Sequence, residues 1–290
     1  MGLRTKFNLV LLVVFALGLS VTGYVSYNLL QRNAQDEVLR NAGVIMEAAL
    51  SMRHYTQKNI SPKLDYQPDV FLPESVPAFA ATEMMNQLRK KYENYQYKEA
   101  ALNPTNPRDR AVEWEADIVN DFRNSTGKSE IMGMRMAASG PALYLARPLK
   151  ITQEGCLACH STPDRAPQPM VALYGGNNGF GWKLNETIGA QIVSVPMTVP
   201  IANADRAFIT FMASLSGVFV VLFIILNVML SFLIVRPITN LSEAANEIST
   251  GNMEIPEFAD KGNDEMALLA KSFNRMRRSL QKAISLIDQG

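Results

Sequence analysis

The chain has 290 residues, a formal net charge of +1 and 48% hydrophobic residues, more apolar material than one ordinary domain of about 100–150 residues needs. Its 28 Lys and Arg are interspersed with 27 Asp and Glu, so no concentrated basic face presents itself and nucleic acid is set aside as a partner. Several parts are expected, and the hydropathy pattern divides them.

Residues 7–30 follow Arg4 and Lys6 and contain no Lys, Arg, Asp or Glu. At about 1.5 Å per residue they span about 30 Å of hydrocarbon. A cleaved signal peptide shares the basic start. The apolar run exceeds the usual core of about 7–15 residues, however, and Ser20, Thr22 and Gly23 form no clear small-x-small cleavage site. Residues 1–30 therefore read as an uncleaved anchor. Residues 207–235 are also free of charge, are interrupted only by Asn227 and stop at Arg236 and Pro237, which makes a second transmembrane helix. Positive charge at Arg4, Lys6 and Arg236 places both termini in the cytoplasm and residues 31–206 outside it, in the periplasm of a two-pass inner-membrane protein in the lipid bilayer.

Within 31–206, a helix is expected to continue to about residue 60. Val38, Ala42, Ile45, Ala49, Met52 and Thr56 make one seam on it, and the spacing fits packing on its own domain and a homodimer contact equally. Pro62, Pro68, Pro73 and Pro77 then break regular structure. Further helices are predicted over 77–92 and 109–122, the latter carrying Ala111, Trp114, Ile118 and Phe122. A turn-rich stretch with Asn103, Pro104, Asn106 and Pro107 separates them. Strands are predicted over 130–136, 142–149 and 188–196, with Gly175, Gly176, Gly179 and Gly181 marking a loop or hairpin. Helices first and strands afterwards give an α+β domain with a mostly antiparallel sheet.

The two cysteines of the chain stand as Cys156-Leu157-Ala158-Cys159, followed at once by His160. This is the C-x-x-C-H pattern of covalent haem attachment. Two thiols about one turn apart add to the two vinyl groups of one porphyrin, and the next residue presents its imidazole to the iron. A structural disulfide or a thioredoxin-type pair also uses C-x-x-C. Neither needs His160, and Ser161, Thr162, Pro163 and Pro167 do not continue as a redox helix. Zinc needs about four ligands, and His54 is the only other histidine. One covalent haem c is the reading, held by Cys156, Cys159 and His160.

For the sixth iron position His54, Met46, Met52 and an open or water-bound site all stand. Tyr144, Arg147 and Trp182 are candidates for the haem surroundings, with the Arg147 guanidinium suited to a propionate. No catalytic residue is assigned. A peroxidase-like enzyme needs an open iron and a placed acid or base, for which His54 is the only second histidine.

After residue 235, Ile238, Leu241, Ala245 and Ile248 follow an a/d spacing, and Thr250-Gly251-Asn252 reads as a helix stop. From Asp264 a second helix places Met266, Leu269, Phe273, Met276, Leu280, Ala283 and Ile287 on one seam. A parallel homodimer with four helices covers both seams.

Arg236-Pro237-Ile238, Gly251-Asn252, Asp264-Glu265-Met266 and Phe273-Asn274-Arg275-Met276 together resemble the HAMP linker domain of bacterial transmembrane receptors, over residues 236–290. The stretches 97–110, with Leu-Asn-Pro-Thr-Asn-Pro, 144–148, 156–163, 174–182 and 189–196 resemble the periplasmic c-haem, PAS-like sensor domains fused to HAMP domains, histidine kinases and chemoreceptors. The resemblance implies a PAS-like sheet with haem at its surface and a role in sensing. The expected function is a transmembrane receptor that senses redox state or a small diatomic gas and relays it through HAMP to a separate cytoplasmic output protein. The alternative is a membrane-anchored electron-transfer cytochrome serving a redox partner, which has no use for a HAMP pair.

Overall fold

An amphipathic stripe with no internal proline or glycine pair lets the first helix run long. In the computed structural model of the chain, which describes residues 1–64, 70–125, 127–252, 254–258 and 262–287, α1 covers Leu3–Tyr55. Pro68 lies outside the described residues, as does the side chain of Ile287. The described chain forms two compact units, residues 27–207 and the combination of 1–26 with 208–290.

In the unit 27–207, α1 is followed by the short α2 (Ser61–Leu64), α3 (Pro77–Arg89), β1 (Gln96–Ala101) and α4 (Glu113–Asn124). Then come β2 (Ile131–Ala137), β3 (Gly140–Lys150), α5 (Gly155–His160), α6 (Gln168–Tyr174) and β4 (Thr187–Pro196). The strands form one antiparallel sheet in the order β1-β4-β3-β2, with Tyr97 opposite Val193, Leu145 opposite Val193 and Leu143 opposite Val195. Both faces are covered. Val38, Ala42, Met46 and Ala49 of α1, with Ala81 and Met85 of α3, bury themselves on Tyr97, Leu143, Leu145, Val193 and Val195. On the other face Ile118, Val119 and Phe122 of α4 meet Ala100, Ala146, Ala190 and Ile192. Each large apolar side chain removed from water in this way contributes roughly 1.5–3 kcal/mol.

The architecture is the expected mixed helix and antiparallel sheet, with two differences in order and use. Strand β1 precedes α4, so helices and strands interleave. Gln96–Ala101 reads as a polar, alanine-rich run by composition, yet β4 supplies its ladder. The α1 seam, which spacing left between two uses, is spent on the chain's own sheet.

The other unit holds the apolar parts of α1 and α7 (Thr198–Leu230), the two helices among the described residues long and apolar enough to cross a membrane. Their ring faces meet at Phe15 and Phe219, 4.7 Å between centroids and 10° from parallel, and Gly18 leaves room for Phe219. The C-terminal helix pair is α8 (Arg236–Ser249) and α9 (Glu265–Ile287). Gly251, at φ +95°, ends α8 where expected. Buried Asn274 pins the connector by accepting from Phe258 N (3.1 Å) and donating to Phe258 O (2.9 Å).

Two wide π-helical turns recur in one sequence context. Thr56–Ile60 is followed by Ser61-Pro62, and Ser231–Val235 by Arg236-Pro237. A proline has no N–H for the carbonyl four residues back. The residue before it instead donates five back, Ser61 to Thr56 O and Arg236 to Ser231 O, the π pattern.

Candidate functional site

The loop after β3 turns straight into α5, a helix of six residues that carries both thiols and ends on His160. Cys156 and Cys159 are half-buried and not joined in a disulfide. Helical spacing sets them about one turn apart on one side.

His160 is fixed on two sides. Its ring lies on Trp182, with centroids 3.8 Å apart and planes 17° from parallel. Its Nδ1 is 2.7 Å from the Gly179 carbonyl oxygen, and the Thr105 hydroxyl is 3.3 Å from the same nitrogen. A carbonyl only accepts, so Nδ1 carries the proton and Nε2 keeps its lone pair. Burial pushes the imidazole below its ordinary pKa, opposed by the Gly179 carbonyl, and the neutral ring is the form that binds metal. A hydrogen bond from the far nitrogen is the usual means of orienting a metal-ligating histidine.

The Gly179 loop is held in turn by the segment after β1. Asn103 accepts from Gly179 N at 3.3 Å, and Arg110 donates to Asn178 at 3.0 Å. Gly179 has φ +82°, and a Cβ there would lie 2.0 Å from Thr105 Oγ1 and 2.7 Å from its Cα. Only glycine fits. Trp182 closes the arrangement through its backbone N–H, which donates to His160 O at 3.2 Å.

A second polar group lies under α1. Arg53 pairs with Glu99, which is only 3% exposed, and the Tyr97 hydroxyl donates to the same carboxylate at 2.7 Å. Gln191 donates to that hydroxyl at 3.3 Å. Burial and then Glu99 raise the Tyr97 phenol. Gln57 donates to Gln153, three residues before Cys156, so the wide turn that follows α1 touches the approach to α5.

A family model, Tll0287-like, matches residues 31–196, more than half of the chain. The chain belongs to the Tll0287-like family. A HAMP domain follows at residues 229–282. The crystal structure of the cyanobacterial heme-protein Tll0287 is similar over 55% of this chain and 95% of that one, at 17% identity and a TM-score of 0.44. No curated protein matches. A Tll0287-like domain, two apolar helices and a HAMP domain in one chain make the plan of a transmembrane signalling receptor.

The remaining sequence candidates are dispersed within the Tll0287-like domain. His54 is exposed on α1, beside Leu50, Tyr55 and Lys58, and among the described residues no three His, Cys, Asp or Glu side chains gather as a metal-holding group. Met46 is fully buried in the core and Met52 packs at its margin. Tyr144 lies against Trp114, 5.6 Å between centroids, on the α4 side of the sheet. Arg147 is already engaged by Glu47 at 2.6 Å and Glu130 at 2.9 Å. Of the surroundings read from sequence, Trp182 is the one seen against His160. Thr105, Gly179 and Asn103 were not assigned roles, although all three fall in stretches that carry the resemblance.

Proposed function

We propose that this chain is a two-pass membrane receptor whose Tll0287-like domain holds one c-type haem through Cys156, Cys159 and His160, and whose HAMP pair passes the state of that site onward. The observation that carries the reading is the His160 imidazole, oriented by Gly179 and Trp182 one residue after a C-x-x-C pair. That donor set fits the group: two thiols for thioethers and one nitrogen with a free lone pair for iron. The name of the solved relative, a heme-protein, points the same way. When bound, haem supplies an iron centre whose charge and axial coordination respond to electrons and to small diatomic ligands.

The protein's own part is positioning. Gly179 and Thr105 hold the proton on Nδ1, and Trp182 restrains rotation of the ring. The contact of Gln57 with Gln153 connects the approach to the attachment segment with the turn after α1, and the pairing of Arg53 with Glu99 ties the end of α1 to β1. His54, exposed on the last turn of α1, is the proposed sixth ligand, with Met52 or an open site as the alternatives, since Met46 is sealed in the core. A change of ligation there would bias α1, and a two-state element is what a receptor requires. The proposed division is 1–30 anchor, 31–206 periplasmic sensor, 207–235 second span and 236–290 HAMP, with both termini cytoplasmic. A homodimer through HAMP and exposed faces of the first helix, and a separate output protein, complete the proposal.

The test is production of the full chain in cells that mature c-type cytochromes. The expected result is one haem that stays with the chain on denaturation and is lost in Cys156→Ala/Cys159→Ala. A chain that leaves such cells with free thiols overturns the reading. With haem in place, His54→Ala turns a low-spin absorption and EPR spectrum high-spin, and an unchanged spectrum removes His54 from the iron.

A further inference from the structure

Strand β2 reads Ile131-Met132-Gly133-Met134-Arg135-Met136-Ala137. A strand sends alternate side chains to opposite faces, and here the two faces differ. Arg135 lies over the Trp114 ring at 4.1 Å, and the Tyr144 ring fills the space that a Cβ on Gly133 would take, with its hydroxyl at 2.6 Å. That face is packed. The three methionines point to the other face and are exposed to 54%, 50% and 75%. β2 is an edge strand, so among the described residues its outer side has no ladder neighbour.

Single exposed apolar side chains are ordinary, but three thioethers in alternate positions on one open strand form a donor row. Neighbours in the row are spaced about 6.8 Å along the backbone, and methionine's three rotatable bonds let flanking sulfurs lean toward the middle one. Thioethers are soft donors that select monovalent copper over zinc, calcium or magnesium. On the row's face Arg147 lies between Glu130 at 2.9 Å and Glu47 at 2.6 Å, so the charge of that group is net negative. A monovalent cation therefore meets sulfur with no positive charge left over from this group. We propose that Met132, Met134 and Met136 form a surface site for a soft monovalent metal ion, Cu(I) or Ag(I), separate from the Cys156–His160 segment.

The test is Cu(I) uptake by the full chain in detergent, buffered by a chromophoric chelator without oxygen. The comparison is with Met132→Leu/Met134→Leu/Met136→Leu. Leucine keeps the bulk and apolar character of an exposed side chain and removes only the sulfur. Cys156 and Cys159 are present in both proteins, so their uptake cancels whatever their state. The wild type should hold one more Cu(I) per chain than the triple variant, and Met134→Leu alone should weaken that ion by at least the 10–100-fold typical of losing an outer-shell partner. Matching circular dichroism and melting curves establish that the variants fold. Equal uptake by wild type and triple variant overturns the site. So does equal uptake with an altered oligomeric state on mutation to Lys, which makes the row an apolar docking surface instead.

Discussion

The Tll0287-like domain and the HAMP pair each contain an amphipathic helix, and they dispose of its apolar face differently. On α1, Val38, Ala42, Met46 and Ala49 are at most 1% exposed, because β3 and β4 of the same chain cover them. On α9 the predicted seam stays open, with Met276 at 50% and Leu280 at 40% exposed. What α9 buries instead is Ala267, Ala270, Asn274 and Arg277, the side that binds its own connector. The same periodicity in sequence thus marks a finished core in one region and half an interface in the other.

The sharpest break of that comparison is Met46→Ala. A cavity in a closed core should cost about 2–5 kcal/mol, seen as a lower melting temperature of the full chain. Next is Arg53→Met, which leaves the Glu99 carboxylate buried beside Tyr97. Removing one member of a buried pair costs about 3–5 kcal/mol, and since Arg53 keeps a quarter of its side chain in water the expected loss is about 2 kcal/mol. Arg53→Met/Glu99→Leu should recover most of it, and a double variant as unstable as the single would remove the pair from the account.

A smaller effect belongs to Asp109. Burial pushes its carboxyl up from 3.8 to about 6, against the pull of Arg108 and with a push from Glu99. Between those values the folded chain holds a proton that the unfolded chain has released, so stability falls as pH rises from about 4 to 6. Asp109→Asn should flatten that part of the profile, measured as the difference between the two denaturation midpoints across pH 4–7. Least in stability but decisive for the comparison is Leu280→Lys. It should leave domain melting within about 0.5 kcal/mol while weakening self-association of the full chain in sedimentation. A loss of melting temperature instead would mean that α9 is covered within its own chain.

What sequence made legible follows from how far apart the interacting residues are. The α1 seam, the α8 stop at Gly251 and the C-x-x-C-H run are local patterns, visible in a window of one or two turns. Strand β1 was not, because Glu99 looks misplaced in a strand until Arg53, 46 residues earlier, is set against it. The setting of His160 was also out of reach, since Thr105 stands 55 residues before it and Gly179 19 after. Arg147 shows the same distance at work. A lone guanidinium in sequence invites a propionate, while its meeting with Glu47, 100 residues away, is invisible there. Trp182 was singled out for the haem surroundings, but the close turn that brings its N–H to the His160 carbonyl and its ring onto the imidazole was not legible.

The wide turn at Ser231–Val235 also bears on how this chain tolerates changes in length. A π turn is an α turn with one residue to spare. Deleting a single residue inside it lets the backbone revert to regular α geometry, and the residues of α8 keep their angular phase. The same deletion in mid-span, among residues 215–219, has no slack to consume and swings everything after it by about 100°. Gene-length variants among such proteins should therefore accumulate at the stretch before Arg236-Pro237 and be purged elsewhere in the helix.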